Sequence, residues 1–185
     1  MAASDASADP LGRTAVGGWF CFGEVPQQSQ AHWFYKPLTE DEYPWAFKQG
    51  DPQKRIAAIE LYGSLLLFLT IISCLGRRRA DGTQLPPALM VPIPILTDNQ
   101  SNALTMLANK SKKWPSAAIL MELSLQIHVH QTSLAPAFIH RELNDWSDQL
   151  SKGEVTRFNS GLQVQPTEDF IILNDLLLDS TSTEA

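Results

Sequence analysis

Cysteine is scarce, with only Cys21 and Cys74 among 185 residues. Two cysteines without paired spacing exclude a disulfide framework and argue against a structural zinc site, so both are expected to be buried thiols. Positive charge is short as well: 14 Lys and Arg against 20 Asp and Glu give a formal net charge of −6. Proteins that hold nucleic acid by general attraction are usually basic, so any such role must rest on a local site. There is no glycine-rich phosphate loop, and Ser4 lacks the flanking glycines of a nucleophile elbow. His128 and His130 stand two apart near a helix end, a spacing that does not put both on one face and speaks against a zinc pair. The N-terminal MAASDASADP has neither a basic nor an apolar signal region, so an intracellular, non-secreted protein is expected. The one long apolar run, LYGSLLLFLTIISCLG, holds sixteen uncharged residues, short of the roughly 20 of a spanning helix. With IAAIE before it, the run reads as a buried core helix carrying an acid, and no membrane role is expected.

What is present is core material. Hydrophobic residues make up 44%, with five Trp and eight Phe, enough to exclude a disordered acidic chain. Residues 15–22 and 32–35 are aromatic and β-favouring and predict strands joined by a hairpin. Asp51 and Pro52 predict the start of a helix that continues to about Leu75. A basic loop follows, then a buried strand over 88–97 and a helix over 99–108. A second basic loop, NKSKKWP, leads to a helix over 116–131. A short strand over 135–140 precedes a helix capped by Asn144 and running to about Lys152. A meander followed by alternating strands and helices predicts an α/β fold with a mixed sheet, antiparallel first and parallel later, flanked by helices. Residues 1–152 are expected to form the domain, with 153–185 an extension holding one short apolar segment and an acidic tail.

Four acids stand where such a sheet could gather them: Asp5, Glu60, Asp98 and Asp148. Glu60 is the most telling, because its helical neighbours Ile56, Ala57, Gly63 and Ser64 are apolar or small. A carboxylate there is desolvated, which costs several kcal/mol or forces protonation unless something offsets it. A divalent cation shared with other carboxylates would do so; an Arg partner, or a place at the helix edge, is the alternative. Asp9 competes with Asp5 for the first position and Asp145 with Asp148 for the last. Asp145 is more simply explained as favourable charge at a helix N-terminus.

Four segments in order, SDASADPLGRTAVGGWF, IAAIELYGSLLLF, ILTDNQSNAL and HRELNDWSDQLS, resemble the ribonuclease H domain of retroelement reverse transcriptases over about residues 4–152. The resemblance implies a ribonuclease H-like fold in which Asp5, Glu60, Asp98 and Asp148 are catalytic and bind two Mg²⁺ ions. It implies endonucleolytic hydrolysis of the RNA strand of RNA–DNA hybrids, and a polymerase module of the same polyprotein as a partner. Asn99 and Gln100 in the third segment, Arg141 in the fourth, and Lys110, Lys112 and Lys113 are the candidates for substrate binding. Arg77, Arg78 and Arg79 form a second cluster suited to phosphates, and Trp114 is suited to stacking.

The chain departs from the pattern in places. Only four residues precede Asp5, and Pro92 and Pro94 withhold N–H groups from one side of their strand. They are expected to lie where a shortened first strand does not reach. Phe138 stands where relatives carry a mobile His, and His140 falls two residues later. The alternative reading is therefore a catalytically inactive remnant of the same fold that binds nucleic acid or protein.

Overall fold

The computed structural model describes residues 1–9, 12–23, 25–48, 51–76 and 92–179. Three strands, β1 (Ala2–Ala8), β2 (Thr14–Phe20) and β3 (His32–Leu38), form the antiparallel meander. A short helix α1 (Pro44–Phe47) and a 3₁₀ turn (Pro52–Arg55) lead to α2 (Ile56–Leu75). Then come β4 (Pro92–Thr97), α3 (Gln100–Ala108), α4 (Ser116–Val129), β5 (Ser133–Phe138), α5 (Asp145–Ser151) and α6 (Leu173–Asp179). The sheet order is β3-β2-β1-β4-β5, with β1 parallel to β4 and β4 parallel to β5. This is the expected α/β architecture, a mixed sheet, antiparallel first and parallel later, with helices on both faces.

Alternation along the strands sorts the layers. Ala2 and Ala6 of β1 and Val16 and Phe20 of β2 join the larger core with α2 and α4. Ala3, Trp19 and Trp33 point the other way, into a smaller core with Leu150 of α5. Helix α2 therefore lies between the sheet and α4, which is why its residues are apolar nearly all round. Residues Pro52–Leu75 are long and apolar enough to cross a membrane by composition, but 72% of that window is buried inside the fold. Asp51 caps the preceding turn as expected, accepting from the Gln53 N–H at 3.0 Å.

Several local expectations shift. Strand β2 ends at Phe20, β3 runs on to Leu38, and β5 spans Ser133–Phe138, which leaves His140 beyond the strand. Cys21 is buried, but Cys74 is exposed, because the last turn of α2 outruns the layers that cover the rest. Asn144 occupies the N-cap position of α5 without making a side-chain cap; its amide is buried with both polar atoms unpartnered. Pro92 and Pro94 pair with Ser133 and Ala135 of β5, while the β1–β4 register holds the single pair Ala3 with Leu96. Arg77, Arg78 and Arg79 lie outside the described residues.

Residues 153–179 pack against the domain. Phe158 enters the smaller core and Leu173 is fully buried in the larger one. The Val164 N–H donates to the Trp33 carbonyl, and the Trp33 indole donates to the Asn159 carbonyl at 2.8 Å. Glu122, fully buried in α4, accepts from the Ile171, Ile172 and Leu173 N–H groups at 2.8–2.9 Å and so caps α6. Glu168 accepts from the hydroxyls of Tyr43 and Tyr62.

Candidate active site

Each of the four acids comes from a different element. Asp5 lies in the middle of β1 opposite Gly17 of β2, Glu60 in the second turn of α2, Asp98 just past β4, and Asp148 in the first turn of α5. Gly17 explains how α5 reaches Asp5. A Cβ there would stand 2.3 Å from the Ser151 nitrogen and 2.5 Å from Leu150 Cβ, so only glycine lets the helix backbone lie on β2. Contacts follow: the Ser151 hydroxyl donates to Asp5 Oδ2 at 3.4 Å, and the Ser7 hydroxyl donates to the Ser151 carbonyl at 2.5 Å.

Repulsion links Asp5 to Asp98 and Asp148, and Glu60 to Asp5 and Asp98. Burial pushes Asp5 from an ordinary 3.8 up to about 6, with repulsion from Asp98 and then Asp148 adding to it. The Ala6 backbone N–H and the Ser151 hydroxyl pull it partly back. Burial likewise pushes Glu60 from 4.5 up to about 7; the hydrogen bond from Asn99 opposes the shift, and Asp5 and Asp98 reinforce it. Among the described residues, Glu60 has no Arg at hydrogen-bond distance, and it is not left at a helix edge. Its Oε2 accepts from Asn99 Nδ2 at 2.6 Å and Asn102 Nδ2 at 3.2 Å. Asp98 is half-buried and accepts no hydrogen bond among the described residues. Asp148 faces two cations, Lys152 Nζ at 2.6 Å and Arg141 Nη2 at 3.7 Å. The rival acids do other work: Asp9 binds the Arg13 N–H and Nε, and Asp145 accepts from Gln149.

Among the described residues, no three His, Cys, Asp or Glu side chains close on one point as a ready cage for a metal. The donor set nevertheless fits Mg²⁺. All four groups are hard oxygen donors, two of them destabilised by burial and mutual repulsion that a dication relieves. Mg²⁺ keeps several waters and is commonly held by one or two carboxylates together with substrate phosphate, so a complete protein cage is not required.

The substrate candidates divide. Arg141 is exposed at the site, close to Asp148 and felt electrostatically by Glu60. Gln100 is exposed at the first position of α3. Asn99 is committed within the protein: its carbonyl oxygen caps α3 through the Asn102 N–H, while its amide holds Glu60. Lys110, Lys112 and Lys113 are exposed beyond the far end of α3. At 1.5 Å per residue, that helix sets them about 13 Å further along. Trp114 is not open for stacking, because Arg55 and Lys48 stand 5.5 and 5.6 Å from its ring centre and Arg55 also donates to its carbonyl. Phe138 packs edge-on against the His140 ring at 5.5 Å. Asn102 and Ser151 were not singled out from sequence, although an Asn inside a helix interior is itself a signal of a tertiary role.

No protein-family model matches the chain. No curated protein matches it in sequence either. Among solved structures, the chain is similar to the crystal structure of RNase H1 from the halophilic archaeon Halobacterium salinarum NRC-1. The likeness has 14% identity and a TM-score of 0.48, and covers 83% of this chain and 96% of that one. At that identity no residue role carries over, and the fold follows from strand order, register and layering alone.

Proposed function

We propose that the chain is a retroelement-derived hydrolase of the ribonuclease H type that cuts the RNA strand of RNA–DNA hybrids endonucleolytically with Mg²⁺. The observation that carries this reading is that hydrogen bonds tie the acid-bearing elements together: Ser151, at the end of the helix that carries Asp148, reaches Asp5, and Asn99, next to Asp98, holds Glu60. These four residues would hold two Mg²⁺ ions, which supply Lewis acidity toward the phosphodiester and a nucleophilic water at neutral pH. The protein's own part is to hold and to aim. Among the described residues, Asp98 has no protein donor and no amide takes the second Glu60 oxygen, so these carboxylate atoms are left available. Asp5 is the buried wall, with the Ser151 hydroxyl shared between it and the Asp148 carbonyl, and Arg141 stands beside Asp148 with a charge suited to phosphate.

Lys110, Lys112 and Lys113 extend this positive reach along the duplex, and 2′-hydroxyl contacts would tell RNA from DNA. With a net charge of −6, the isolated chain would hold a hybrid weakly and with steep salt dependence. A polymerase module of the same polyprotein would then deliver the substrate inside the cell.

A second reading is a non-catalytic binding module, favoured by Lys152 held 2.6 Å from Asp148 and by Phe138 in place of the mobile His. A labelled hybrid incubated with Mg²⁺ or with chelator separates the two. Cleavage that needs Mg²⁺ and disappears in Asp98→Asn is expected. Cleavage that survives Asp98→Asn would place the chemistry elsewhere, and binding without cleavage would establish the second reading.

A further inference from the structure

The geometry points to Asn102 as a positioning residue that, together with Asn99, fixes which oxygen of Glu60 is offered to the cation; this rests on the reading of Glu60 as a Mg²⁺ ligand. Asn102 is 5% exposed, inside the first turn of α3. Its amide nitrogen has two protons, and both are used. One goes to the Ala57 carbonyl at 2.8 Å and the other to Glu60 Oε2 at 3.2 Å. Asn99 Nδ2 donates to that same oxygen at 2.6 Å, and Asn99 Oδ1 accepts from the Asn102 N–H at 3.1 Å. The two amides thus form a closed bracket between the first turn of α3 and the Ala57–Glu60 turn of α2.

The bracket has a direction. Both donors converge on Oε2, and no hydrogen bond reaches Oε1 among the described residues. A carboxylate gripped by one oxygen presents the other, and the ring plane of hydrogen bonds sets where that oxygen points. Because Asn99 directly follows Asp98, the bracket also ties the orientation of Glu60 to the strand end that carries Asp98. If Asn102 served only to join two helices, its bond to the Ala57 carbonyl would do so without the carboxylate. Partners of this kind, one bond removed from a metal, typically account for about 10- to 100-fold in affinity or activity.

The test uses Mg²⁺ alone as the first probe. Wild type, Asn102→Ser and Asn99→Ser are titrated with Mg²⁺ and followed by thermal shift and calorimetry. Hydrolysis of a labelled hybrid is then measured across the same Mg²⁺ range. Serine at position 99 keeps an oxygen for the α3 cap while removing the donor to Glu60, so this variant serves where Asn102→Ser does not fold. The expected result is a Mg²⁺ midpoint raised about tenfold in both variants. The turnover rate should fall while the KM for hybrid stays unchanged, and excess Mg²⁺ should recover activity. Variants that melt earlier but keep the wild-type midpoint would show a packing role and overturn the inference while leaving the function intact. A wild-type protein with no response to Mg²⁺ overturns both.

Discussion

Replacing Glu60 by Gln should stabilise the metal-free protein at neutral pH, although it removes one acid of the proposed metal site. Glu60 is pushed from 4.5 to about 7 and Asp5 from 3.8 to about 6, so each carboxylate binds its proton more tightly in the folded chain than in the unfolded one. At about 1.36 kcal/mol per unit, either shift alone corresponds to about 3 kcal/mol. Repulsion from Asp5 enters the Glu60 shift, so the two contributions do not simply add. The sign follows from proton linkage. Between about pH 4 and pH 7 the native state holds more protons than the unfolded state, so stability falls as pH rises through that window. Above it, the full penalty remains. Thermal and denaturant unfolding in chelator, from pH 4 to pH 8, should show wild type losing ground to Glu60→Gln as pH rises. The gap at pH 8 should reach about 2–3 kcal/mol, or about 4–12 °C in Tm for a chain of this size. Millimolar Mg²⁺ should close most of that gap by stabilising wild type and not the variant. A Glu60→Gln variant less stable than wild type at pH 8 in chelator would falsify the assignment of a repelled, desolvated carboxylate.

Three further outcomes test other parts of the structure. Gly17→Ala drives a methyl group to 2.3 Å from the Ser151 nitrogen, so α5 must lift. A loss of about 1–3 kcal/mol is expected, with activity falling further than stability because Asp148 moves with the helix; a fully active variant would refute the close approach. Glu122→Gln leaves buried N–H groups at the start of α6 facing an amide, which should cost about 2–4 kcal/mol and make the chain after Gln163 the first site of limited proteolysis. Removing Lys110, Lys112 and Lys113 together should raise the KM for hybrid and flatten its salt dependence while leaving the turnover rate unchanged; a fall in turnover at saturating hybrid would place these residues nearer the chemistry.

The parts that were legible in the sequence are those written in local patterns. The apolar length of α2, the Asp51 cap and the meander-then-alternation order were all readable, as was the placement of four acids on four different elements. What was not legible depends on partners distant in the chain. Nothing near Trp114 announces that Lys48 and Arg55 flank its ring. Nothing near Glu122 announces that it caps a helix about fifty residues later. Asn144 looks like a helix cap because of its residue type, yet its amide makes no cap bond and is buried with both polar atoms unpartnered among the described residues. Asn99 reads as a substrate contact because it neighbours Asp98, but its amide faces inward to Glu60. Local chemistry fixed the elements; which face each polar group took was decided by packing.

The single registered pair between β1 and β4 has a mechanical consequence. Within the one sheet, an antiparallel group of three strands joins a parallel group of two at the pair Ala3 with Leu96. Asp5 lies in the first group and Asp98 directly follows the last residue of β4, so the two acids stand on either side of this joint. An ion gripped from both banks would act as a rivet, and amide hydrogen exchange along this joint should slow when it is in place.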